Sequence, residues 1–422
     1  MHTSGNTEAL FTNDAIVLGI LMILLAFIFF TSSSKNPLWQ KFYKFIPALL
    51  LCYFLPSVLN SMGIISGDAS NLYFVASRYL LPSSLVLLCL SIDFKGILKL
   101  GPKAIIMFFA GTLGIVLGGP IAIIAVSAFA PEIIGGSGPE EVWRGLATVA
   151  GSWIGGGANQ TAMKEIYGAS DELFSAMITV DVIVANIWMA FLLVGAGVSE
   201  KVDRFFKADA SAITEVKESI QNYRSSISKI PNLTDMMVIC AIGFGGTALA
   251  HLGADLITPF METKKEILSE YRLTSMASSF FWIVVIATIS GLILSFTKLK
   301  KYEGAGASKF GSAFLYVLVA TIGMKMDVTA IFENLGLFVV GLLWMLTHVI
   351  ILLLVAKIIK APFFFVAVGS QANVGGAASA PIVASAFSPA LAPVGVLLAV
   401  FGYAVGTFGA IFCAQLMQMV SQ

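Results

Sequence analysis

Charged side chains are scarce in this chain. Asp, Glu, Lys and Arg make up 12% of 422 residues while 58% are hydrophobic; a soluble domain carries roughly 25% charge. With a mean hydropathy of +0.90, that shortage excludes a water-soluble globular protein and leaves a polytopic membrane protein. The charges nearly cancel, 25 basic against 24 acidic, so no nucleic-acid partner is implied. Histidine occurs three times and never in a His-Glu-x-x-His pattern. Cysteine occurs four times, at Cys52, Cys89, Cys240 and Cys413, always in apolar segments and without metal-ligand spacing. These read as small core residues. No Ser/His or double-Asp constellation stands out, so an enzyme is not expected. The opening "MHTSGNTEALFTNDA" has no basic region before the first apolar run, so that run is expected to remain as a helix rather than be cleaved as a signal peptide.

What the chain has in quantity is apolar runs. A spanning helix needs about 20 largely apolar residues. Twelve segments are candidates, at 14–31, 45–62, 72–91, 104–130, 145–166, 173–197, 235–258, 276–297, 310–323, 335–356, 363–387 and 391–417. A polar segment, 199–232, contains "EVKESIQNYRSSISK" and divides them six and six. The expected organisation is an N-terminal repeat at 1–198, a solvated linker at 199–232 and a C-terminal repeat at 233–422. The halves resemble each other. "LSIDFKGILKLGPKAI" at 90–105 answers "IGMKMDVTAIFENLGLFV" at 322–339, each with one Asp, Asp93 and Asp327, at a helix junction where capping suffices. "GSWIGGGANQTAM" from Gly151 answers "GSQANVGGAASAP" from Gly369. Paired Gly-interrupted segments in corresponding positions of two halves point to a transporter site.

Two counts constrain the topology. Inverted repeats need an odd number of crossings between equivalent points, and a straight twelve-helix count puts six between Asp93 and Asp327. The groups Lys35, Lys41, Lys44 with Lys95, Lys99, Lys103, and Lys298, Lys300, Lys301 with Lys357, Lys360, should all be cytoplasmic. The same count separates them. Both tests want one crossing more or fewer between Lys103 and Lys298. The expected fault is 232–274, where "GFGGTALAHLGADLITPF" breaks the apolar pattern. The expectation is eleven to thirteen spans in two inverted repeats.

In hydrocarbon, backbone amides freed by a helix break must line a cavity or be buried in protein. Gly155, Gly156 and Gly157 allow one helix to unwind, and Asn159, Gln160 and Thr161 add side-chain oxygens. Ser370, Gln371 and Asn373 do the same in the second break. Oxygen donors without Cys or His suit a hard cation such as Na⁺; close packing of small residues is the plainer alternative. Asp181, in "MITVDVIVANIWMAF", is a carboxylate well inside an apolar helix. It can bind Na⁺, carry a proton, or be a structural acid. His251 and Asp255 sit at i, i+4 and can pair. His348 reads as a hydrogen-bonded core residue, and Lys164 and Glu165 as the surface exit of the first broken segment.

At these residues a resemblance becomes visible. "GGGANQTAMKEIYGASDELFSAMITV" is similar to the bile acid:sodium symporter family, and "LSIDFKGILKLGPKAI" resembles that family's Asp-Phe junction. Nearly the whole chain resembles an uncharacterised bacterial membrane-protein family, domain of unknown function 819, placed in the same superfamily. The resemblance implies an all-α fold with panel and core domains and two discontinuous helices crossing in the core. It implies an Na⁺ site at Asn159, Gln160, Ser175 and Thr179 and a second at Gln371. The acidic residue four positions before that Gln falls on Ala367 here, which leaves Asp181 to supply the charge. Gly156, Gly157, Ser370 and Asn373 are the candidate solute contacts. The expected function is Na⁺-coupled symport of a small organic solute, such as an organic anion, in the bacterial inner membrane. A cation/proton antiporter using Asp181 is the alternative. No cofactor is expected beyond the coupling ion, Na⁺ or H⁺; the partners are a small solute and the lipid bilayer, with a homodimer as the candidate assembly.

Overall fold

The computed structural model describes residues 9–46, 48–67, 69–208, 213, 230–270, 274–325, 336–388 and 391–421. Asp327 lies outside them. The described residues are helical, with no strand among them beyond an isolated bridge between Phe11 and Ile65. The helices run α1 (Asp14–Ser32), α2 (Pro37–Phe45), α3 (Ala48–Ser61), α4 (Leu72–Leu90), α5 (Phe94–Lys99), α6 (Pro102–Phe129), α7 (Val142–Gly155), α8 (Gly157–Tyr167), α9 (Asp171–Gly197) and α10 (Ser199–Phe206). After the linker come α11 (Leu233–Glu262), α12 (Lys265–Glu270), α13 (Ser279–Ser295), α14 (Ala307–Gly323), α15 (Gly336–Ile359), α16 (Phe363–Val374), α17 (Gly376–Phe387) and α18 (Ala392–Val420). Seven are long and apolar enough to cross a membrane: α1, α4, α6, α9, α11, α15 and α18. Three more, α13, α14 and α16, are apolar but shorter.

Local signals start these helices. Asn13 caps α1 by accepting from Ala15 N–H at 2.9 Å, and Ser170 caps α9 through Leu173 N–H at 3.0 Å. Asn232 and Asp235 form a reciprocal capping box at the start of α11. From there α11 runs 30 residues without a break, which corrects the expected fault at 232–274. Its glycines serve close packing instead: a methyl on Gly243 or Gly246 would collide with Ser83 or Val86 of α4. Glycines bring α6 onto α15 in the same way. Gly114 lies against His348 and Gly118 against Trp344, whose indole N–H donates to Ile115 O at 2.7 Å.

The two Gly-rich segments do break, and each break is a reversal. Gly156 adopts φ +81° between α7 and α8, a conformation that favours glycine. Beyond it α8 folds back along α7. Ser170 N–H donates to Pro139 O at 3.1 Å, Arg144 Nη1 donates to Tyr167 O at 2.5 Å, and Gly151 is so close to Asn159 O that a Cβ would sit 2.6 Å from it. The second segment turns at Gly375 and Gly376, with Gly376 at φ +56°. Phe364 at its start and Phe387 at its end lie ring to ring at 5.3 Å; an unbroken helix over that span would hold them about 35 Å apart. Both are therefore helical hairpins, which corrects the expected pair of crossing discontinuous helices. A helix crossing the membrane would need its two halves to continue in one direction, and here glycine turns let the arms lie side by side.

The hairpins meet at their tips: a Cβ on Gly376 would lie 3.8 Å from Gly156 Cα. At one end of the molecule Lys103 Nζ donates to Lys360 O at 3.0 Å, Lys300 pairs with Asp93, and Lys357 lies over the Phe205 ring at 4.8 Å. Asp93 thus binds a lysine and makes no side-chain cap to α5, contrary to the capping role expected of it.

Candidate functional site

The polar groups of the hairpins are distributed by helix geometry, since neighbours on a helix point about 100° apart. Asn159 and Gln160 on α8 consequently serve different partners. Asn159 is fully buried. Its Nδ2 donates to Gly155 O at 3.2 Å and to Tyr403 O of α18 at 2.9 Å, and its Oδ1 accepts from Thr407 at 2.6 Å. Gln160 faces the other way and donates to Asp181 Oδ2 of α9 at 2.9 Å. Trp153 Nε1 of α7 donates to Asp181 Oδ1 at 2.7 Å. Asp181 is therefore the brace between the first hairpin and α9, with both oxygens accepting N–H bonds as a carboxylate does well. Asn186 is satisfied on its own helix through Val182 O at 2.7 Å.

Of the four residues expected to cluster, Asn159 and Gln160 are committed to different helices. Asn159 is turned toward α18, and Thr179 donates to Ser175 O within α9 at 3.3 Å. Of the N-terminal candidates, the structure joins Gln160 to Asp181, Asn159 to α18, and Thr179 to Ser175 O. The physical reason is the adjacency of Asn159 and Gln160 in a single helix, which forbids both from facing α9.

In the second hairpin Asn373 repeats the Asn159 pattern. Its Nδ2 donates to Gly369 O at 2.9 Å and to Phe108 O of α6 at 3.0 Å, and its Oδ1 accepts from Thr112 at 2.8 Å. Ser370 is also spoken for. His348 Nδ1 lies 3.0 Å from Gly111 O and must carry the proton there; the Ser370 hydroxyl lies 2.8 Å from Nε2 and receives the Trp188 indole N–H at 2.8 Å. Ser370 and Asn373 are thus both buried and hydrogen-bonded within the protein. His348 is a hydrogen-bonded core residue, as expected.

Gln371 differs from all of these. Its Nε2 donates to Ser379 Oγ at 2.8 Å across the hairpin. Its Oε1 is buried and has no hydrogen-bond partner. A buried carbonyl oxygen without a donor costs roughly 1–3 kcal/mol, and few are retained without a purpose. Beside it, Gly156 and Gly157 at the first tip are partly accessible. The arms that begin at the tips, α8 and α17, carry no side-chain cap, so no capping side chain offsets the positive dipole ends at the tips.

Several partners were hidden from the sequence. Thr112, Thr407, Trp153 and Trp188 sit in apolar runs with nothing local to mark them; only Thr at four residues past a clamped carbonyl, twice over, is a usable signal in hindsight. Lys164 and Glu165 are not at a surface exit. Lys164 pairs with Asp171 at 2.7 Å and Glu165 with Arg78 at 2.9 Å, with side chains 7% and 11% exposed. His251 binds Arg78 O at 2.9 Å and stacks on Tyr79, while Asp255 is exposed.

The architecture and the buried polar clamps define an all-helical, multi-pass integral membrane protein built around two facing helical hairpins. The chain belongs to the DUF819 family, described as protein of unknown function, which matches residues 19–420. It is similar to the uncharacterized membrane protein YjcL of Bacillus subtilis (strain 168), with 22% identity over 360 residues covering 83% of this chain and 85% of that protein. The likeness to the bile acid:sodium symporters gains no support from these comparisons, and hairpins in place of crossing helices argue against it.

Proposed function

We propose that this protein is a secondary active transporter of the bacterial cell membrane, moving a small organic anion together with Na⁺ by alternating access. The observation that carries the reading is the meeting of two glycine-tipped hairpins beside a buried, unpartnered oxygen, Gln371 Oε1. Broken backbone inside a membrane protein is tolerated where it lines a site, and transporter sites lie at such breaks. Gln371 Oε1 is the oxygen this reading gives to the cation. The uncapped starts of α8 and α17 suit an anionic group. Asp181, with Trp153 and Gln160 already on its oxygens, holds the first hairpin in position.

The hairpins also support a topology of inverted halves. With each hairpin entering and leaving by one face, four crossings separate Lys103 from Lys298: α6, α9, α11 and α13. An even number supports one cytoplasmic face for both lysine groups. Five crossings then separate Asp93 from Asp327, which supports inverted repeats. In this reading α1, α3, α4, α11, α13 and α14 form a panel, and α6, α9, α15, α18 and the hairpins form a moving core.

The test is Na⁺-dependent thermal stabilisation of purified protein, with K⁺ as control, followed by a screen of small organic anions in saturating Na⁺. Wild type should gain stability from Na⁺ and further from one class of anion, and Gln371→Ala should lose the Na⁺ response. An equal response of wild type to Na⁺ and K⁺, with no anion effect, would reject the reading. An Na⁺ response that survives Gln371→Ala but disappears in Asp181→Asn would move the cation to Asp181 and favour exchange against protons.

A further inference from the structure

The first hairpin carries a partly buried ionic cluster that the proposed cation and solute sites do not use. Glu165 lies near the end of α8, far along the arm from the glycine tip. Its carboxylate accepts from Arg78 Nη1 at 2.9 Å and from the Tyr73 hydroxyl, both on α4. Its neighbour Lys164 donates to the same Tyr73 hydroxyl at 3.2 Å and pairs with Asp171 at 2.7 Å. The Tyr73 ring lies between two ammonium groups, Lys164 at 5.0 Å and Lys325 at 5.1 Å, each within cation–π range.

The α4 side of the cluster is rigidly mounted. Residues Ala76–Leu80 form a π-helical turn, a feature often found at functional positions. His251 of α11 binds the Arg78 carbonyl in that turn at 2.9 Å. Phe280, in α13's first turn, lies under the Arg78 guanidinium at 4.4 Å. Arg78 therefore belongs to the unit of α4, α11 and α13, whereas Glu165 belongs to the hairpin. Every bond to Glu165 from Arg78 and Tyr73 crosses between the two units.

We propose that Arg78 and Tyr73 latch the base of the first hairpin to α4 through Glu165, and that this latch must open before the hairpin shifts along α4. The proposal rests on the reading above that the hairpins move against the panel. A translation of even one helical turn, about 5.4 Å, separates groups that now touch. An ion pair confined to one of two conformations biases their populations by its full differential strength. Removing Glu165's charge-assisted bonds should raise the other conformation's share relative to this one by roughly tenfold to a hundredfold.

The experiment places spin labels on cysteines introduced at the exposed positions Asn71 and Glu172, in a Cys240→Ser background, and measures their distance distribution in lipid nanodiscs. Glu165→Gln should populate a second distance that is minor in wild type. Tyr73→Phe, which removes one hydroxyl and spares the fold if Glu165→Gln does not, should do so to a smaller degree. A pair that only stabilises the fold would lower the melting temperature and leave one unchanged distance in both variants; that result overturns the latch. Sodium-22 uptake into liposomes by wild type keeps the two readings separate. Uptake with unmoved distances rejects the latch alone, and a shifted distance without uptake rejects Na⁺ transport and keeps the latch.

Discussion

The two hairpins hold themselves in the same way and differ in what they leave free. Asn159 and Asn373 each donate to the carbonyl four residues back, across the Gly156 turn for Asn159 and within α16 for Asn373, and to a carbonyl on a long helix of the other half. Each also accepts from a Thr one turn further along that helix, Thr407 or Thr112. The first hairpin then adds a carboxylate brace: Gln160 and Trp153 close both oxygens of Asp181. The second has no acid in the corresponding place, and its glutamine keeps a bare oxygen. Equal clamps with unequal surroundings teach that rigidity and reactivity are divided between the hairpins. The first is anchored to α9 by charge, and the second holds the unsatisfied group that a ligand can complete.

That division can be broken from either side. The largest expected effect is Asp181→Ala, which strands the buried N–H groups of Trp153 and Gln160 and should cost about 3 kcal/mol, read from denaturation of the detergent-solubilised protein. Asn159→Ala and Asn373→Ala should each cost about 2 kcal/mol by the same measurement, and the double variant should be additive if the clamps are independent. A strongly non-additive result would mean that the meeting of the tips couples them. Thr407→Val and Thr112→Val, losing one bond each, should cost about 1 kcal/mol. Gln371→Leu should leave ion-free stability nearly unchanged, because losing the Nε2 bond to Ser379 is offset by removing an oxygen that lacks a partner. The smallest effect concerns Asp203 of α10, which accepts from Phe363 N–H at 2.7 Å at the start of the second hairpin. Burial raises its carboxyl pKa above the usual value, against the pull of that N–H. The folded state then holds its proton to higher pH than the unfolded state does. Stability should therefore fall slightly as pH rises through the window between the two values. Asp203→Asn should flatten that slope in melting temperatures measured across the carboxylate range.

Membrane class and helical content were legible from hydropathy alone, and the glycine runs marked both breaks. The sense of each break was not legible, because a glycine at positive φ permits a bend or a reversal and only the packing of distant residues decides. Here Gly151 decides it, by letting the Asn159 backbone approach within a distance no side chain would allow. The lysine distribution did carry the answer in a different form. It demanded one crossing more or fewer between Lys103 and Lys298, and the proposed topology loses one at 142–167 rather than in α11. At the site, the residue types at the breaks were readable but their grouping was not. Asn159 and Gln160 are neighbours in sequence and face different helices in space. Glu165 looked like a surface residue because nothing near it in the sequence announces Arg78, 87 positions away.

The asparagine clamps also impose an order on how the chain is made. Asn159 finds its partners at Tyr403 and Thr407, 244 and 248 residues later in the chain. At ribosomal speeds of 5–20 residues per second, that is a wait on the order of ten to fifty seconds. Throughout it the first hairpin exists without the helix that completes its tip, and its carboxamide must be served by water or by a temporary neighbour. Asn373 faces no such delay, since α6 precedes it by more than 200 residues. The N-terminal half is thus born incomplete, and α18, more than 200 residues downstream, is the helix that closes it.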